Sequence, residues 1–196
     1  MKYIFLIAAF NALFFAFLIL QKKKAIHDKI LVLWLLYLGI YTGIYGLFSD
    51  RLFLDYHLLS ASFISFLLLL GPFLFLYISA LIDPKFRFNR KKLVHFIPFI
   101  LFNLYIGIVS FVPQLSEQIR LDHVEGAHGV PLLFNLFLIL TVLSGPLYFL
   151  LSILLFKKLD IDIFNNFSSY ENVDLDWLRK LVYSFGFIWT LLMIFT

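Results

Sequence analysis

Side chains able to do chemistry are few in this sequence, and their spacing limits what they could do. His123 and His128 share the stretch LDHVEGAHGV with Asp122 and Glu125, and imidazole with carboxylate is a ligand set for a divalent metal. A His-x4-His spacing matches no dedicated pattern, and Gly126 and Gly129 loosen the stretch, so a solvated loop is the expected role. His95 follows the basic cluster Arg90, Lys91 and Lys92. There it would sense pH, bind a head group, or sit hydrated at a helix end, the last being the ordinary fate of an interfacial histidine. Asn103 and Asn135 lie deeper in apolar runs and are candidates for hydrogen bonds between helices, each worth on the order of 1 kcal/mol. Cysteine is absent, which excludes disulfides, cysteine nucleophiles and zinc–thiolate sites. No nucleophile–base arrangement, glycine-rich phosphate loop or carboxylate pair within an apolar run is visible. The sequence therefore offers no catalytic residue, no metal site and no cofactor site, and an enzyme is not expected.

The elements that would carry these residues are apolar to an unusual degree. Of 196 residues 62% are hydrophobic, only 14% are charged, and 26 are phenylalanine. A soluble domain is nearer half apolar and a quarter charged. Six apolar runs, at about 3–20, 30–48, 58–82, 94–112, 131–156 and 178–196, are long enough to cross roughly 30 Å of hydrocarbon as helices. The fold class read from this is all-α, a polytopic transmembrane helix bundle forming one domain over 1–196. The first run is retained as a span rather than cleaved as a signal peptide, because no small-x-small site follows it and Lys22, Lys23 and Lys24 close it.

Charge distribution sets the orientation. Loops 21–29, 83–93 and 157–180 together hold thirteen of the sixteen Lys and Arg residues, against two in the intervening loops, Arg51 and Arg120. The excess marks those three loops as cytoplasmic and puts the N-terminus outside. A net charge of +4 distributed in this way is a topology signal rather than a nucleic-acid footprint. Lys22, Lys23, Lys24, Arg90, Lys91 and Lys92 are expected at the lipid surface, where each basic residue contributes about 1 kcal/mol against anionic head groups. The sequence stops inside its last apolar run, which reads as a seven-span domain cut short. Asn166 opens a formal glycosylation sequon that a cytoplasmic loop would leave unused.

Two Gly-Pro pairs interrupt the third and fifth runs, Gly71–Pro72 and Gly145–Pro146. Proline inside a helix removes a backbone hydrogen bond at a cost of roughly 3 kcal/mol. Each pair stands twelve residues before the first charge of its run, Asp83 and Lys157, or about 18 Å from the basic edge at 1.5 Å per residue. Two parallel helices are thus expected to carry a packing or hinge feature at one depth. The freed carbonyls of Leu68 and Val142 would need new partners, with Ser144 a candidate.

The run GPFLFLYISALIDPKFRFNRKKLVHFIPFILF, residues 71–102, joins Gly-Pro to an aromatic stretch, a short basic loop and the pentapeptide HFIPF. It resembles the multi-spanning membrane domain of bacterial membrane-embedded transcription regulators of the AraC type. KKKAIHDKILVLWLLYLGI (22–40) and FNNFSSYENVDLDWLRKLVYSFGFIW (164–189) are similar to that family's linker after the first span and its entry into the sixth. The resemblance runs the length of the chain in order. It implies a bacterial inner-membrane input domain that passes a signal, of unknown ligand, through a seventh helix to a cytoplasmic helix-turn-helix domain. Homodimerisation is plausible on that basis, and DNA would be contacted only through a domain that this chain does not contain. A small transporter or channel subunit, or the input domain of a membrane histidine kinase, are the alternatives. The scarcity of charge within the runs argues against transport.

Overall fold

Backbone groups in hydrocarbon must be satisfied within the chain, and a helix does this segment by segment. The computed structural model describes residues 2–21, 25–55, 57–83, 86–119, 131–165 and 176–195, and among these every regular element is helical. In order they are α1 (Lys2–Leu20), α2 (Ile26–Asp55), α3 (His57–Ser65), a 3-10 turn (Phe66–Leu69) and α4 (Leu70–Ile82). A 3-10 segment (Arg90–Phe96), α5 (Ile97–Val109), α6 (Pro113–Gln118), α7 (Leu132–Asn165) and α8 (Asp176–Phe195) follow.

Among the described residues, five stretches are long and apolar enough to cross a membrane: Lys2–Leu20, Ile26–Phe48, Leu58–Ile82, Arg90–Val109 and Leu132–Lys158. The sixth expected span is a 20-residue helix, α8, but it does not join that group. Asp176, Arg179 and Lys180 fall in its opening turns and lower its apolar content. Helix also continues past the apolar limits read from the sequence, to Asp55 in α2 and to Asn165 in α7. A helix persists wherever its own hydrogen bonds are made, so it need not stop where hydrophobicity does.

Local signals explain several ends. The Asp28 carboxylate accepts the Ala25 N–H at 3.0 Å and holds the start of α2. Asn89, in extended conformation, caps the 3-10 segment by accepting the Lys92 N–H at 3.2 Å. Pro98 falls in the first turn of α5, where its missing N–H costs nothing.

The helices pack in the sequence α1, α2, α4, α7, α8, with α5 set against α3. Only Ala9 and Ala16 of α1 are buried. Ala9 faces the glycine stripe of α2, where a Cβ on Gly39 would lie 2.7 Å from Leu13 and one on Gly43 would lie 3.5 Å from Ala9. Close approach of backbones through small residues is how membrane helices associate without a hydrophobic force between them. The outward face of α1 leaves Phe10, Phe14 and Phe17 exposed.

Two cores result, one toward each end of the bundle. The first gathers Ile30, Leu74, Tyr77, Ile78, Phe156 and Leu178. It marks the basic end, where Ile26, Ile82, Phe86 and Phe156, described residues within or beside the three basic loops, pack together. The second gathers Ala61, Leu68, Phe102, Ile106 and Phe134. Residues of α3 and early α7 share one core and residues of α4 and late α7 share the other, so these two helical runs lie parallel.

Candidate functional site at the joint between the cores

Both Gly-Pro pairs fall between the two cores. Leu68 belongs to one and Leu74 to the other, with Gly71 and Pro72 between them. On α7, Phe137 and Leu138 pack on one core and Phe149 and Ile153 on the other, with Gly145 and Pro146 between. The two pairs approach each other through Tyr148. Its ring occupies the space that a Cβ on Gly71 would need, and the ring of Trp189 does the same at Gly145. Glycine is required at these positions because an aromatic ring from the next helix lies directly on the backbone.

The two prolines differ in local effect. Before Pro72 the helix tightens to 3-10, and Leu70 N–H donates to the Leu67 carbonyl three residues back. The Phe66 carbonyl, which an α-turn would have paired with Leu70 N–H, instead accepts the Tyr37 hydroxyl of α2 at 2.7 Å. Around Pro146 the α-helix is continuous. Thr141 and Ser152 in α7 donate to the carbonyls of Phe137 and Tyr148 in their own helix. Ser144, the candidate partner for the Val142 carbonyl, is buried, and the relief beside Pro72 comes from Tyr37 of another helix.

His95 lies in the 3-10 segment, half-buried, with Nδ1 3.0 Å from the Tyr148 hydroxyl and its ring 5.2 Å from that of Phe75. It therefore packs against the residue that fills Gly71, rather than standing free at a helix end. Asn103 donates from Nδ2 to Ser65 Oγ at 2.7 Å and to the Phe99 carbonyl at 2.9 Å, tying α5 to the end of α3. Asn135 is exposed in the first turn of α7, not deep in a span. Arg90 and Lys91 are exposed, whereas Lys92 is only partly so and places its ammonium 3.0 Å from the Phe86 ring centre. Lys22, Lys23 and Lys24 lie outside the described residues, as do Asp122, His123, Glu125, His128 and Asn166. Among the described residues no three histidine or carboxylate side chains come together as metal ligands.

Replacing Asn103 by leucine and Ser65 by alanine, singly and together, should reveal a coupling of about 0.6–1 kcal/mol in unfolding measurements in detergent. Additive effects would mean that the bond contributes nothing.

Beside the joint, an open groove of about 860 Å³ runs between α2 and the broken helix α3–α4, with Phe99 of α5 also lining it. Its walls are aromatic. Tyr41 stacks on Phe63 with ring centres 4.4 Å apart, and Phe66 meets Phe99 edge-on at 5.1 Å. The volume is in the range of small-molecule sites, roughly 300–1,000 Å³. These residues carry no catalytic signature. Tyr37, Phe66 and Tyr148 carry no distinguishing signal in the sequence, because aromatic residues in an apolar run look alike until their neighbours are known.

No protein-family model matches the chain, and neither does any curated protein or solved structure.

Proposed function

We propose that the chain is the membrane-embedded input domain of a one-component transcription regulator of the AraC type. It takes up a signal in the bilayer and passes it to a cytoplasmic helix-turn-helix domain joined through a further helix. The observation that carries this reading is the joint, where two Gly-Pro pairs meet through Tyr148 between two separate cores, beside an open groove. Two packed units with a seam between them form an element that a ligand can bias, provided it binds one arrangement more tightly than the other. In this reading α8 is the sixth span. The N-terminus is outside, and the basic end of the bundle faces the cytoplasm of a bacterial inner membrane. That Ile26, Ile82, Phe86 and Phe156, described residues within or beside the three lysine- and arginine-rich stretches, share one core supports the orientation. The output domain would read DNA as a dimer on paired half-sites.

The test is a transcriptional reporter driven by the chain joined, through one added membrane helix, to a helix-turn-helix domain. Pro72→Ala restores the N–H that the Leu68 carbonyl lacks, and should move basal output several-fold while the protein remains in the membrane. Output indifferent to Pro72→Ala and to substitutions throughout the spans would overturn the proposal. Solute flux in reconstituted vesicles would favour a transporter instead.

A further inference from the structure

We propose that the groove between α2 and α3–α4 is a binding site for one acyl chain of an anionic phospholipid of the surrounding bilayer, with its head group held at Lys29. The assignment supplies the ligand class for the signal-input reading and rests on it for its consequence, though not for the binding itself.

The dimensions suit a hydrocarbon chain. Along α2 the groove is lined from Leu33 to Phe48, a rise of about 22 Å at 1.5 Å per residue, against roughly 15 Å for one leaflet of a 30 Å hydrocarbon layer. An extended chain entering at the basic end can therefore lie wholly within it. One side is open, since Leu33, Ile40, Phe48 and Leu59 are each about half exposed. Access is sideways, from the bilayer. The walls offer a chain little to hydrogen-bond. The Tyr37 hydroxyl, the polar group nearest the break, already donates to the Phe66 carbonyl at 2.7 Å. An occupant with a polar body would lose hydration there without replacement.

Charge then selects among lipids. The lining residues of α2 fall at helical spacing, Leu33, Leu36, Ile40 and Ile44, and Lys29 is the next position on that stripe toward the basic end. Lys29 is exposed, and among the described residues it forms no ion pair. Its neighbour Asp28 is engaged with the Ala25 N–H and lies 3.6 Å from His27. Exposed Arg90 and Lys91 belong to the same end of the bundle. The Lys29 ammonium, one turn beyond the apolar groove, stands on the side where the head group of a lipid lying in the groove would emerge, and it favours a head group whose phosphate charge is not cancelled by choline.

The test uses the purified full chain in nanodiscs of phosphatidylcholine containing a minor fraction of phosphatidylglycerol with the same acyl chains. Native mass spectrometry reads the lipid retained per chain. The wild type should keep one phosphatidylglycerol in preference to phosphatidylcholine. Lys29→Gln should reduce that preference about five-fold, and Ile40→Trp, which fills the groove, should abolish retention of both. A photo-crosslinking residue at Ile40 serves as the second measurement if the tryptophan variant unfolds. An adduct with the mass of phosphatidylglycerol supports the site. An adduct with a second copy of the chain, or retention unchanged by Lys29→Gln and Ile40→Trp, overturns it. If lipid binding responds to these substitutions while the reporter does not, the site stands and the signal-input function falls.

Discussion

Gly145→Ala should lower the melting temperature sharply, corresponding to about 2–3 kcal/mol, with the loss concentrated at the contact between α7 and α8. The added methyl would fall among the atoms Cγ, Cδ2 and Cε2 of Trp189. That ring has little room to give way, being 5% exposed and 6.2 Å from the Phe185 ring. Overpacking a filled site costs roughly 1–3 kcal/mol. Trp189→Leu in the same chain should recover part of the loss by clearing the space. The control is Gly107→Ala. Nothing lies within 4 Å of the Cβ that it would gain, so the ordinary helix preference for alanine should raise stability by about 0.5–1 kcal/mol. Thermal unfolding in one detergent reads all three variants. If Gly145→Ala and Gly107→Ala shift the transition in the same direction, close packing is not why glycine stands at 145.

Phe102→Ala should be the most damaging single truncation in the second core, costing about 3–5 kcal/mol. Phe102 is fully buried, stacked on Phe137 at 4.7 Å with planes 4° apart, and meets Phe134 edge-on at 5.9 Å. Its removal empties the contact between α5 and α7 without any polar group to draw water in. The neighbouring Leu104 is 58% exposed, and Leu104→Ala should stay within about 0.5 kcal/mol of wild type. A double-mutant cycle between Phe102 and Phe137 should assign about 0.5–1.5 kcal/mol to the ring pair itself. Comparable melting temperatures for Phe102→Ala and Leu104→Ala would show that the second core does not hold the helices together.

These expectations differ in origin. That Gly71, Pro72, Gly145 and Pro146 interrupt apolar helices is legible in the sequence, because proline lacks a donor wherever it stands. That the chain tightens to 3-10 before Pro72 but remains α-helical around Pro146 is not legible. The 3-10 turn coincides with Tyr37, from another helix, donating to the Phe66 carbonyl, a contact between residues 29 positions apart. Asn103 and Asn135 look equivalent as single amides in apolar runs. One reaches Ser65, while the other is exposed in a first turn, because α7 starts at Leu132. His95 could be placed beside a basic cluster from sequence, but its partner Tyr148 is 53 residues away.

What the amino-acid sequence determined by itself is the helical class, the membrane-length runs and the gathering of basic residues into alternate loops. Each follows from a one-dimensional quantity, namely run length or charge order along the chain. The tertiary structure alone decided which face of each helix turns inward. Helices α1, α2 and α7 are apolar nearly all the way round, so no amphipathic stripe points to a core. Where every face is hydrocarbon, facing is set by shape, by which ring fits over which glycine. Shape complementarity is a property of pairs of surfaces that no single segment carries.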